Sequence, residues 1–462
     1  MEKMKVGYLP FYIKLYDDSN PASRDPMVAW MNKLIKMIEN RGVKVAPAGV
    51  CRIKSEFDQA TAKFNADPEI CAVVTQHLAY SPSQESIEAL KSLKVPVIVL
   101  DTTPDRELLS YAETENRIMS NHGIHGVQDM CNMLRRNGIP YHICAGHADD
   151  AKVIDELCGY IRAAYAAKIF KNVRVGMVGG EFEGMGDFRV SDERYEKEIG
   201  AKTVRMTPAD AGKHLAEITD EDVDEEIALD AGKFDVKVKN TDNYRASVKA
   251  GLALRRWMEA EKLDGVTVNF LHIDESGLPK MPFAECCKVM ERSLGYAGEG
   301  DNLTAGLVAS LIRVYPDTTF TEMFCPDWKE NIILLSHMGE FNPAVAKWAT
   351  LIDKPFNYNA AGDTVGACGC LKAGKAVLVN LAPAKEGFDL IVTPVELTDD
   401  GSATGKYSDS VQGWMKPRLP LPEFLKAYSA AGGTHHSALV YGADMNELVA
   451  FGEMMGFKVT VI

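Results

Sequence analysis

Val95-Pro96-Val97-Ile98-Val99-Leu100-Asp101 reads as a strand covered on both faces. Four consecutive aliphatic residues without polar alternation suit the middle of a parallel sheet packed by helices on each side. Outward from it, Lys5–Phe11, Val43–Ala48, Ile70–Thr75 and Tyr141–Ala145 are further strand candidates. Between the first two lies Met27–Asn40, where Met27, Trp30, Met31, Leu34, Ile35 and Ile38 recur at helical spacing and form one apolar face. Strands alternating with helices predict a doubly wound α/β domain over residues 1–171.

A second α/β domain is expected over 172–315. Its first strand, Val173–Val178, opens into the glycine-rich Gly179–Asp187 segment. Helical patterns follow at Arg245–Glu261 and Pro282–Ser293, with the strand Gly265–Phe270 between them. Over 316–462 the texture changes. Ile332–Ser336, Ala376–Leu381, Leu390–Val395, Ala438–Tyr441 and Lys458–Ile462 are short strand signals, several of them separated by Gly, Pro and Asp turns, and only Leu421–Ala431 and Met445–Met455 look helical. The fold expected is α/β: two doubly wound, Rossmann-like domains followed by a β-rich, antiparallel, barrel-like C-terminal domain.

Composition sets bounds on function. The 462 residues are 46% apolar and 25% charged, ordinary for globular domains, and too many for one core. A net charge of −14 argues against nucleic-acid binding. No apolar run reaches the length of a membrane span, and Met1–Val6 lacks the apolar core of a signal peptide, so a cytoplasmic protein is expected. The ten cysteines have no zinc-ligand spacing and read as reduced, mostly buried thiols. The acidic run Asp220–Glu226 reads as a solvated surface.

The chemistry-bearing residues lie in the second half: Glu299 in Gly298-Glu299-Gly300-Asp301, Glu322 in Thr321-Glu322-Met323, His337 after Leu335-Ser336, and His436 in Thr434-His435-His436-Ser437. Two carboxylates and two imidazoles suit Mn²⁺, Fe²⁺, Co²⁺ or Zn²⁺. Each residue alone has a plainer reading. Glu299 precedes a helix start and could cap it; Glu322 could be a loop glutamate; His337 could be a core histidine at a strand end. His435 and His436 are adjacent, and on a strand they would point to opposite faces, leaving one of them able to reach a metal.

These segments resemble the L-arabinose isomerase and L-fucose isomerase superfamily, the arabinose branch more closely. The resemblance rests on Gly295–Asp301, Leu335–Met338 and the run from Ala431 to Ile462, in matching order and spacing. It implies that Glu299, Glu322, His337 and His436 bind a divalent metal, most often Mn²⁺. It implies that the two glutamates carry aldose–ketose isomerisation, by an enediol or a hydride shift. The expected substrate is a pentose or 6-deoxyhexose. Tyr16 and His125 (with His122 in an equally suitable His-Gly) match segments that reach a neighbouring subunit's site, so a homo-trimer or homo-hexamer is implied. Met185 and Phe188, in a loop that departs from the arabinose pattern, are candidate sugar-facing residues, as is Glu340. A sugar-binding or sensory protein on the same fold is the alternative. The Gly179–Asp187 segment lacks a full G-x-G-x-x-G. Gly369–Ala376 fails the P-loop pattern at Ala376, which supplies no hydroxyl, and reads as a turn.

Overall fold

The computed structural model describes residues 4–108, 117–399 and 407–462. Its contacts divide the chain into two compact units, Met1–Lys168 and Ile169–Ile462.

The first unit holds a five-stranded parallel sheet made of β1 (Lys5–Phe11), β2 (Lys44–Pro47), β3 (Ile70–His77), β4 (Val97–Asp101) and β5 (Tyr141–Ala145), in the order β2-β1-β3-β4-β5. The Val97–Leu100 run is wholly buried, as its composition requires. The helix Arg24–Glu39 buries Met27, Met31, Leu34, Ile35 and Ile38, five of the six residues of the expected face; Trp30 is half-buried.

The second unit joins two sheets. The first is parallel: β6 (Arg174–Val178), β7 (Lys202–Arg205), β9 (Gly265–Val268) and β10 (Gly295–Gly298), ordered β10-β9-β6-β7. The second includes β8 (Asp235–Val236), β11 (Thr318–Asp327), β12 (Ile332–Ser336), β13 (Ala346–Lys354), β14 (Thr364–Leu371), β15 (Gly374–Pro383), β16 (Phe388–Thr398), β17 (Val411–Pro417), β18 (His436–Tyr441) and β19 (Lys458–Val461). Antiparallel pairing runs β16-β15-β18-β11-β12-β17, and β17 pairs back with β16 to close a barrel. Closure removes the exposed edges that an open sheet would present. The helix Asn302–Ile312 is buried along its whole length. It packs on β6, β9 and β10 and on β11, β15 and β18, so it is the shared core of parallel sheet and barrel. A helix apolar all round can be stable only where both sides are covered.

One expectation changes here. Asp220–Asp230 is a helix begun by a Thr219/Asp222 capping box, and its far end turns inward. Glu226 accepts from Arg255 at 2.6 and 2.8 Å and from Lys288 at 2.6 Å, and Asp230 from Lys288 at 2.8 Å. The acidic run is therefore surface at its start and a buried ion network at Glu226, because helical periodicity carries every third or fourth residue to the inner face. Gly369–Ala376 spans the end of β14, the turn at Lys372–Ala373 and the start of β15.

Candidate metal centre

Glu299 follows the last residue of β10, in the crevice beyond the C-terminal ends of a parallel sheet, where open α/β sheets bind ligands. Its backbone lies at φ 64°, a left-handed conformation that a side chain ordinarily avoids. Two hydrogen bonds hold it there: its N–H donates to the Val268 carbonyl at 2.8 Å, and its carbonyl accepts the Phe182 N–H at 3.2 Å. The residue before it must be glycine, since a β-carbon on Gly298 would lie 2.7 Å from Cε1 of His337.

The barrel supplies the rest. Glu322 lies on β11, opposite Ser336 of β12 on one side and His436 of β18 on the other. His337 follows β12 directly and His436 begins β18, so neighbouring strands bring three functional side chains to one end of the barrel. Oxygen and nitrogen atoms of Glu299, His337 and His436 all lie within 4.8 Å of one another, a group that could hold a metal ion. Nε2 of His436 is 3.3 Å from Oε2 of Glu299, and Nε2 of His337 is 3.8 Å from Oε2 of Glu322.

Both buried imidazoles are held from behind. His337 Nδ1 is 2.8 Å from Oε1 of Glu340, which also accepts from the Tyr296 hydroxyl at 2.7 Å. His436 Nδ1 is 2.9 Å from Oδ2 of Asp301. With each Nδ1 engaged by a carboxylate, each Nε2 is left as the free ring nitrogen. Neither Nε2 has a hydrogen-bond partner among the described residues, although both are buried. A buried ring nitrogen without a partner is costly, and a carboxylate behind a histidine is the usual support of a metal ligand. The donor set therefore fits a divalent cation.

The electrostatics are those of a charged, partly dry site. Burial pushes the Glu299 carboxyl up, but His435 and His436 beside it outweigh that and hold it well below the usual carboxylate range. Burial raises the Glu322 carboxyl, and the three nearby histidines only partly oppose it. Burial lowers the His436 imidazole, yet Asp301 and Glu299 lift it to about 9.

The other expected residues fall as follows. Glu340 is 1% exposed and turned to His337 and Tyr296, not toward open space. Phe188 is buried and stacked on the His436 ring at 5.0 Å and 12°. Met185 is half-exposed in the same loop. In the first unit, the His122 ring is 6.4 Å from that of Tyr16 and 4.6 Å from that of His125. The adjacent histidines do not diverge. His435 precedes β18, so strand alternation does not apply to it, and its Nε2 lies 3.4 Å from Oε2 of Glu299.

The capping alternative for Glu299 fails, because Asp301 caps the helix by accepting the Thr304 N–H at 2.8 Å. Sequence reasoning did not single out Asp301, Tyr296 or Asp187. An N-cap signal was available for Asp301, in an acidic residue just before an apolar helix; its partnership with His436 had none.

Parallel α/β layers, a closed barrel and a buried carboxylate–imidazole centre define a class of candidate metalloenzyme. Family models described as the L-arabinose isomerase N-terminal, central and C-terminal domains match residues 15–172, 193–315 and 317–458 in that order. The chain belongs to the L-arabinose isomerase family, a family of sugar isomerases. The L-arabinose isomerase of Clostridium beijerinckii is 25% identical over 413 residues, covering 86% of this chain and 82% of the relative. That of Thermotoga maritima is 23% identical, covering 91% and 86%, and that of Geobacillus kaustophilus 24%, covering 88% and 84%. Among solved structures, an ABC-transporter periplasmic solute-binding protein of Actinobacillus succinogenes with bound D-allose gives a TM-score of 0.18 at 11% identity, over 68% of this chain and 92% of that one, too low to bear on the fold.

Proposed function

We propose that the protein is a divalent-metal-dependent aldose–ketose isomerase, with Mn²⁺ as the preferred ion and a pentose or 6-deoxyhexose as substrate. The observation that carries this reading is the pair of buried, unpartnered Nε2 atoms of His337 and His436 facing Glu299. Glu299, His337 and His436 hold the cation, and Glu322 completes the set. The bound cation supplies Lewis acidity to the oxygens on C1 and C2 of the open-chain sugar.

Glu299 and Glu322 then do the proton work between them. Isomerisation moves a hydrogen from one carbon to its neighbour, and through an enediol that needs a base and an acid with unlike affinities for the proton. Their surroundings differ: Glu299 lies against His435 and His436, whereas Glu322 is half-buried with His337 Nε2 3.8 Å away. Glu340 and Asp301 orient the imidazoles. Met185 and Phe188 belong to the loop beside the sugar, with Phe188 acting through His436.

Tyr16 and His125 contribute to the pocket of a neighbouring copy in a homo-trimer or homo-hexamer. Leu15, Ile118 and Ile124, exposed by 62%, 67% and 45%, support that part of the reading, since apolar side chains this exposed favour contact with another surface. The ten cysteines, none of them in a disulfide, suit a reducing compartment such as the cytoplasm, and none of the described helices is long and apolar enough to cross a membrane.

The test is turnover on a panel of aldoses and ketoses by protein stripped with chelator and reloaded with Mn²⁺. Interconversion of one pair, absent in stripped protein and restored by Mn²⁺, is expected. Sugar binding without turnover in the Mn²⁺-loaded protein would contradict it and favour a binding role.

A further inference from the structure

The Gly179–Asp187 loop is tied to the centre at two places. At its start, the Phe182 N–H donates to the Glu299 carbonyl at 3.2 Å. At its end, two adjacent residues hold two adjacent histidines. Oδ2 of Asp187 accepts both the His435 N–H, at 3.0 Å, and His435 Nδ1, at 2.7 Å. Phe188 lies flat on His436 and tilted against His435, its ring centroid 5.4 Å from the latter. Between these anchors, Glu183, Gly184 and Gly186 are exposed and Met185 is half-exposed.

Two consequences follow from the geometry. With Nδ1 given to Asp187, His435 can offer only Nε2 to Glu299, so its ring orientation is fixed from the loop. The Phe188 ring covers one face of His436, which leaves that imidazole little freedom to rotate about its bond to the chain. The loop beside the candidate sugar pocket and the histidines of the centre are one mechanical piece.

We propose that Asp187 and Phe188 are positioning residues: they clasp His435 and His436, and so set both the metal affinity of the centre and the path of the Glu183–Gly186 arch over it. The proposal rests on the metal-dependent reading above.

The test compares full-length wild type with Asp187→Ala, Phe188→Leu and the loop control Glu183→Gln. Two quantities are measured: the Kd for Mn²⁺ alone, by titration calorimetry, and amide hydrogen exchange in the metal-free proteins. Asp187 is 39% exposed, so its loss should leave the fold intact, checked by circular dichroism. Asp187→Ala, acting through His435 on Glu299, and Phe188→Leu, acting on His436, are expected to weaken Mn²⁺ binding by about 10-fold or more, the order of effect of losing the groups that orient metal ligands. They should also speed exchange across residues 182–188 and at His435. Glu183→Gln should match wild type in both. Mn²⁺ binding by wild type with both clasp variants equal to it would overturn this inference alone. A wild type that takes up no Mn²⁺ would overturn the underlying reading and the inference with it.

Discussion

Glu299 keeps an unfavourable backbone conformation, of order 1–2 kcal/mol for a residue with a β-carbon, and the return is position: its carboxyl meets His435 and His436. Backbone strain of this kind persists where surrounding bonds over-determine it and tends to mark functional sites. Glu299→Gln keeps the size and the backbone but removes the charge. It should fold as wild type and lose isomerisation by about 10²-fold or more, read from turnover beside a circular dichroism spectrum; undiminished turnover would remove Glu299 from the mechanism. Asp301→Asn tests the support of His436. Asparagine caps helices as well as aspartate does, so stability should change little while Mn²⁺ affinity falls by about 10- to 100-fold, measured by competition with a chelator. The four ligand candidates could be found in the sequence because each lies in a short, recognisable motif. Their supports could not. Asp301 and His436 are 135 positions apart and Asp187 and His435 are 248 apart, and only the folded chain brings them together.

At the scale of elements, the helix Asn302–Ile312 carries most of the join between parallel sheet and barrel. Leu307, 0% exposed within it, has no room to be replaced without a cavity. Leu307→Ala should destabilise by about 2–5 kcal/mol, read from urea unfolding. The buried ion network at Glu226 makes a pH prediction. Burial raises the Glu226 carboxyl, but Arg255 and Lys288 outweigh that and bring it to about 2. A carboxyl held below its unfolded value stabilises the fold above that unfolded value, and the contribution is lost as pH falls through the folded one. Stability should therefore decline from about pH 4.5 toward pH 2. Asp230, pushed up by burial in the same network, works in the opposite sense and offsets part of it. Replacing Glu226 with Gln should flatten the decline in an acid titration of Tm. Several strands were visible in the sequence, such as β1, β5 and the aliphatic β12, whose bounds match the expectation. β10 and β14 were not, since Gly295–Gly298 and Thr364–Leu371 are rich in Gly, Ala and Cys and owe their extension to their neighbours. β11, with Pro326 and four exposed residues at its end, reads locally as a loop around Glu322, so the strand that carries this candidate was not visible.

At the scale of the whole molecule, the proposed pocket joins a β-barrel end, a parallel-sheet crevice and, in the proposed oligomer, a neighbouring copy's Tyr16 and His125. Glu299→Gln and His125→Ala chains are each expected to be impaired. Unfolded together and refolded as mixed oligomers, they should regain part of the activity, because some pockets would then pair an intact centre with an intact neighbour; no recovery would argue against completion by a partner. The measurement that tests the central claim most directly is aldose–ketose interconversion before and after Mn²⁺ is returned to chelator-stripped protein. The account predicts no turnover when stripped, one metal per chain on reloading, and interconversion of an aldose with its ketose. Equal turnover with and without the metal, or Mn²⁺ bound at one per chain with no sugar on the panel converted, would contradict it.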